Sequence, residues 1–281
     1  MTTVIALKYN GGVVLFADSQ ETTGSMREQF HNKIHFIGRN DTYAIGCAGE
    51  SADIDQFVSH LRLEFENDNG TQLYTYDELY QILDTITAKF CKKLKATARG
   101  IYNNEDSTRF NFEGLFVAPM RLDKEPKWSF ERYSIYHIDI HFTSTRQPDD
   151  KDFLIRNRVH KACIGDGKDS ATSLLDILQY FMNLSKPRSL DESPQFYRLS
   201  RELCALLCDV ILRLVPRLTV TSSAPIHAMD ITRKGAKALW RDEYFKKTTT
   251  FEDLLKGTFR KLLEESDLSK EKILNLLYDQ S

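Results

Sequence analysis

Thr2, in the opening Met1-Thr2-Thr3-Val4, stands where removal of Met1 would leave a hydroxyl and a free α-amino group on one residue. Aminopeptidases remove methionine ahead of small residues, threonine among them. An α-amine has a pKa of roughly 7.7 to 8.0, so near neutrality a useful fraction is uncharged and can take the hydroxyl proton. Nucleophile and base would then share a residue, whereas a serine or threonine elsewhere in a chain needs a separate histidine or lysine. Other residue groups have chemistry-bearing types but weaker spacing. His137, Asp139 and His141 share one strand face by two-residue alternation and could ligate a metal, yet the same alternation simply makes a polar face. Cys204 and Cys208, four apart on a helix, fit an apolar core better than a metal site, and Gly165-Asp166-Gly167-Lys168 lacks the spacing of a phosphate loop. No metal and no cofactor is expected.

The composition narrows the setting. A chain of 281 residues forms one large domain or two small ones. Its 38 basic and 40 acidic residues leave a net charge of −2, which gives no footprint for nucleic acid or for an anionic membrane. No charged leader with a long apolar stretch opens the chain, and no run of about 18 uncharged apolar residues occurs, so neither export nor membrane spanning is indicated and a cytoplasmic location is expected. The five cysteines are odd in number and form no CxxC pair, which suits buried reduced thiols rather than a disulfide framework.

The elements that must position Thr2 follow from periodicity. Thr3 to Tyr9 and Gly12 to Asp18 are apolar runs about Asn10-Gly11, a tight-turn pair, and predict a hairpin covered on both faces. Ser19 to Asn32 reads as a polar loop. Lys33 to Gly38 and Thr42 to Cys47 predict a second hairpin turning at Asn40-Asp41, giving a sheet of about four antiparallel strands at that point. Ile54, Phe57, Val58, Leu61 and Phe65 then repeat at helical spacing, and a second helix opens on a Thr75/Glu78 capping box. Strands are expected at Phe110 to Val117, Lys127 to Thr143 and Val159 to Ile164, with the hydrophilic Ser144 to Asp152 between the last two. Helices follow near Asp169 to Leu184 and Phe196 to Leu214, then strands at Ile226 to Thr232 and Ala236 to Trp240. The expected fold is α+β, a four-layer αββα sandwich of two antiparallel sheets flanked by helices. It occupies residues 1–240 as one domain, with residues 241–281 as a C-terminal helical extension.

Thr2-Thr3, Gly12-Val13-Val14 leading into Ala17-Asp18, Asn32-Lys33-Ile34 and Ala48-Gly49-Glu50-Ser51-Ala52-Asp53 form a pattern that resembles proteasome β-type subunits. The likeness includes bacterial HslV-like members of the N-terminal nucleophile hydrolases. The resemblance implies that Thr2 is the nucleophile, Lys33 the buried cation that lowers its hydroxyl pKa, Asp18 the carboxylate that holds Lys33, and the Gly49 backbone N–H the oxyanion hole. An ammonium near an alkoxide stabilises it, a buried ammonium requires a counter-charge, and a glycine lets the main chain approach a substrate carbonyl. Glu21, His31, Cys47 and Ser51 are implied to line the specificity pocket, an acidic one that favours a basic residue before the scissile bond.

The second half departs from that pattern. Gly165-Asp166-Gly167 stands where the family usually has Gly-Ser-Gly, and Asp166 would hold a proton on the α-amine and weaken it as a base. Val220-Thr221-Ser222-Ser223-Ala224-Pro225 keeps Ser223 of an Asp-x-x-Ser-Gly-Gly segment but lacks the aspartate and both glycines. The activity expected is that of a threonine-type endopeptidase acting through a Thr2 acyl-enzyme on peptide or unfolded-protein substrates. The resemblance also implies a homo-oligomeric ring and an ATP-dependent unfoldase or regulator as partner. Two alternatives stand beside it, a proteasome-like structural or binding subunit with weakened or lost catalysis, and an amidohydrolase acting on a small molecule.

Overall fold

The computed structural model describes residues 2–18, 21–23, 26–28, 33–66, 73–101, 109–122, 129–143, 152–158, 160–184, 200–218 and 226–240. The expected extension over 241–281 lies outside the described residues.

β1 (Thr3–Tyr9) and β2 (Gly12–Asp18) form the hairpin that Asn10-Gly11 predicts, with Val4 opposite Ala17 and Tyr9 opposite Gly12. Every residue of β1 is buried because its pleat sends Ile5, Leu7 and Tyr9 to one apolar layer and Val4 and Ala6 to another. The first sheet is completed around this hairpin by β10 (Lys161–Gly165), β11 (Ile226–Thr232) and β12 (Gly235–Ala238), in the order β10-β1-β2-β11-β12. The second sheet runs β5 (Ile34–Ile37), β6 (Tyr43–Gly49), β7 (Arg109–Pro119), β8 (Tyr133–Thr143) and β9 (Phe153–Arg158), all antiparallel neighbours.

Three apolar layers weld the fold. Val4, Leu15, Ala44, Leu115 and Ile135 pack between the sheets. α1 (Ser51–Glu66) and α2 (Tyr76–Ile101) cover the second sheet, where the Phe57 ring lies 5.2 Å from Phe90 and 4.7 Å from Phe112. α3 (Lys168–Leu184) and α4 (Arg201–Leu218) cover the first, with Leu175, Leu207 and Ile211 against Leu7 and Phe16. Each such Phe or Leu contributes about 1.5–3 kcal/mol by leaving water, so the layers rather than local propensity hold the elements in place. The result is an αββα sandwich. The capping box forms as expected, Thr75 N–H donating to Glu78 Oε2 at 2.8 Å and Glu78 N–H to Thr75 Oγ1 at 3.4 Å.

The structure corrects four local expectations. The two N-terminal hairpins do not share a sheet, because β1 and β2 take β10 and β11 as outer neighbours while β6 takes β7. Ser19 to Asn32 contains a short ribbon, β3 (Glu21–Thr23) paired with β4 (Met26–Glu28), whose polar strands give no hydrophobic signal. The segment expected to start a strand at Lys127 instead has a 3₁₀ turn at Ser129–Arg132 before β8. β9 is not among the expected strands: at the edge of its sheet among the described residues it buries only Ile155, and Leu154 is 40% exposed, so its sequence lacks the alternation that marks a half-buried strand.

Candidate active site

Asp18 closes β2 and Thr2 directly precedes β1, so the register that sets Val4 opposite Ala17 brings both to one end of the hairpin. Asp18 Oδ2 accepts the Thr3 N–H at 2.6 Å, and Oδ1 accepts Lys33 Nζ at 2.9 Å. Nζ also donates to Thr2 Oγ1 at 2.7 Å. Lys33 reaches this point from the other sheet: its own carbonyl accepts the Cys47 N–H at 2.8 Å beside β5 and β6. The Lys33 side chain is only 4% exposed, and the carboxylate and hydroxyl supply the partners that a buried ammonium requires. An ammonium fixed at this distance from a hydroxyl oxygen stabilises negative charge developing there.

Gly165, the last residue of β10, lies opposite Thr3 and has φ +84°. A Cβ placed on it would come 2.1 Å from Thr2 O and 3.2 Å from Ala48 Cβ. Only glycine fits such a gap, and the contact sets Thr2, Gly165 and Ala48 side by side. Gly49, next along β6, is exposed with φ +144°. Thr2 and Gly49 therefore lie at the ends of strands from different sheets, with Gly165 beside Thr2 and beside Ala48, the residue before Gly49.

The remaining expected residues fall unevenly. Ser51 is half-buried at the start of α1, and Asp166 is an exposed turn residue between Gly165 and Gly167. Cys47 does not line an open pocket: it is fully buried on the face of β6 turned toward the helices, and burial pushes its thiol well up. The pleat that places Ala48 between the sheets turns Cys47 away from them. Glu21 belongs to β3. His31 and Ser223 lie outside the described residues. His137, Asp139 and His141 do not form the trio their alternation suggested. His141 Nε2 lies 2.5 Å from Asp139 Oδ1, while His137 and Asp139 approach Glu113 of β7.

Several groups at the site were not foreseen. His227 lies in β11 opposite Ala17, and burial followed by the charge of Lys33 holds its imidazole below the usual value. Asp53, in the first turn of α1, is pushed up to about 6 by burial and by Glu50. Glu113 is 7% exposed; its Oε2 accepts the Gly165 N–H at 2.7 Å and its Oε1 accepts Lys168 Nζ at 2.6 Å. Burial alone would raise this carboxyl, but the polar hydrogens of His137, Lys168 and the Gly165 N–H outweigh it and hold the group at about 2. A lone acid in the apolar run Phe112-Glu113-Gly114-Leu115-Phe116 was the signal in the sequence.

Because the folded pKa of Glu113 lies below the ordinary 4.5, its contribution is complete above pH 4.5 and lost as pH falls toward 2. The stability difference between the native chain and Glu113→Gln should narrow by about 2 kcal/mol between about pH 5 and pH 3 in denaturant titrations. A gap independent of pH would contradict this assignment.

Among the described residues no helix is long and apolar enough to cross a membrane. The two antiparallel sheets flanked by four described helices agree with a proteasome-like αββα fold. The proteasome subunit family model matches residues 1–102, from the start of the chain through α2, and over that part the chain is similar to proteasome subunits. The described strands and helices from β7 onward lie outside the match and complete the same sandwich. No curated protein matches the chain.

Proposed function

We propose that this chain is a threonine-type endopeptidase that cleaves peptide bonds through a Thr2 acyl-enzyme. The observation that carries the reading is the single Lys33 ammonium shared between Thr2 Oγ1 at 2.7 Å and Asp18 at 2.9 Å. Once the chain ahead of Thr2 is removed, the α-amine takes the Oγ1 proton as Oγ1 attacks the substrate carbonyl carbon. Lys33 steadies the alkoxide, and the Gly49 N–H receives the oxyanion. Collapse of the tetrahedral species breaks the C–N bond, and the α-ammonium returns its proton to the leaving amine. Water, deprotonated by the α-amine, then attacks the ester and releases the carboxylic acid product with Thr2 restored. On this reading the chain works in the cytoplasm as copies assembled in a ring enclosing the sites. An ATP-dependent unfoldase would feed them, with peptides or unfolded proteins as substrate.

A second reading, a proteasome-like subunit with weakened or lost catalysis, is favoured by one observation. Asp166 is a carboxylate in the turn after Gly165, which itself touches Thr2, and it would retain a proton on the amine. One experiment separates the readings. Intact mass first establishes that Thr2 is the N-terminal residue of the purified protein, and the protein is then treated with a peptide epoxyketone, which needs both hydroxyl and amine. A stoichiometric adduct that disappears in Thr2→Ala is expected. Processed protein that stays unlabelled would overturn the endopeptidase reading and leave the structural subunit.

A further inference from the structure

Thr2 leads into β1 of the first sheet and Gly49 closes β6 of the second, so the distance between nucleophile and oxyanion N–H is set by whatever holds the sheet ends together. Along most of the interface that is an apolar layer, Val4, Leu15, Ala44 and Leu115 among others. At the site end the layer gives way to polar groups. β7 sets Glu113 directly opposite Ala48, the residue before Gly49. From there the Glu113 side chain crosses to the first sheet, where Oε2 accepts the N–H of Gly165 at 2.7 Å and Oε1 accepts Nζ of Lys168, the first residue of α3, at 2.6 Å. Gly165 is the residue packed against both Thr2 O and Ala48.

We propose that Glu113 is a positioning residue for the Thr2 site, a polar tie between the sheets that fixes Gly165, and through it the Thr2 main chain, relative to the Gly49 strand. The inference rests on the Thr2 endopeptidase reading. Apolar contacts resist separation but slide, because the hydrophobic effect has no direction; a hydrogen bond to a main-chain N–H fixes position within a few tenths of an ångström. Among the described residues β10 is the edge strand of its sheet, and no described strand holds its register on the outer side. Glu113 supplies a constraint there.

The alternative occupant of this cluster, a cation held by Glu113, His137 and Asp139, conflicts with the groups already present. Arg158 lies 3.0 Å from His137 Nδ1, and an arginine can only donate, so Nδ1 is the acceptor and the ring proton sits on Nε2. Nε2 itself lies 3.8 Å from Glu113 Oε1. The ring nitrogen that would bind a metal is therefore occupied, and two cationic side chains, Lys168 and Arg158, stand where a metal would add a third positive charge.

The test uses processed full-length protein and the peptide epoxyketone. It reads the maximal labelling rate, the half-saturating probe concentration and the final fraction labelled. Glu113→Leu removes the acceptor for Gly165, and Lys168, whose side chain is 44% exposed, can turn to water rather than be stranded. Glu113→Asp keeps the charge but falls a methylene short of Gly165, and carries the same expectation if the leucine variant does not fold. Both should lower the maximal rate about 10- to 100-fold, the scale of an ångström-level misplacement, with half-saturation and final fraction unchanged. Glu113→Gln, which keeps a carbonyl for Gly165, and Lys168→Met, which keeps Glu113, should stay within about threefold of the native rate. Native rates in Glu113→Leu and Glu113→Asp overturn the proposal. So does a fall in the final fraction shared with Glu113→Gln, which marks general loss of structure. If the native protein itself is processed but unlabelled, the Thr2 reading fails and hydrogen exchange decides the tie. Faster exchange over 161–168 and 2–8 in Glu113→Leu, with α1 unchanged, supports it; equal protection overturns it.

Discussion

Lys33→Met should slow acylation of Thr2 by about 10³-fold, equivalent to roughly 4 kcal/mol of transition-state stabilisation. The reason is geometric. Nζ bonds Thr2 Oγ1 and Asp18 Oδ1 at once, so its loss removes the one ammonium beside the reacting oxygen among the described residues and leaves Asp18 with the Thr3 N–H as the bond facing the nucleophile. Methionine fills the volume without cavity or charge, so secondary structure and the thermal transition should change far less than the rate. Asp18→Asn separates holding from charge: an amide keeps the shape but no longer balances the ammonium, and labelling should fall there too. Rapid epoxyketone labelling of Lys33→Met, with Thr2 confirmed as the modified residue by peptide mass, would show that the hydroxyl is activated without Lys33.

Gly165→Ala should be the most damaging single methyl in the site. Left-handed backbone at φ +84° costs an alanine roughly 1–2 kcal/mol, and the new Cβ would stand 2.1 Å from Thr2 O, main chain that cannot turn aside. Overpacking of this kind adds about 1–3 kcal/mol, so a total of about 2–5 kcal/mol and a melting temperature lower by about 4–15 °C are expected, with labelling lost because Thr2 itself is displaced. Gly38→Ala is the control. It has φ +85°, but its Cβ would meet the Tyr43 ring at 3.2 Å, a side chain that can yield, and it lies away from Thr2. It should pay the backbone cost alone and keep native labelling. Equal labelling losses in the two variants would detach the effect from the Thr2 contact.

Thr2, Asp18 and Lys33 were legible from sequence because they lie near the ends of two local hairpins, each closed by its own turn pair, and because the N-terminal motifs occur together. β1, β2 and the helices were legible for the same kind of reason: apolar residues recur at period 2 or 3.6 within one segment. Glu113 was not assigned a role. A single acid in an apolar strand announces a buried charge, yet nothing local shows that its partner is a glycine N–H some fifty residues on, or that this glycine touches Thr2. His227 and Lys168 were missed likewise, each meeting the site only after strand order is fixed. The resemblance implies a pocket position for Cys47, but the pleat turns it into the helix-facing core.

By itself the sequence determined where Thr2, Lys33 and Asp18 fall among the elements, the turn pairs that bend the hairpins and the apolar stripes that demand helices outside sheets. All of these depend on residues within one or two elements of each other. Only the tertiary structure decided that the two hairpins lie in opposite sheets, that Lys33 crosses between them to reach Thr2, and that Glu113 ties the two sheet ends beside Gly165. Those facts depend on which strands become neighbours, and strand order is chosen by burial of all three apolar layers together, a property no single stretch of chain contains.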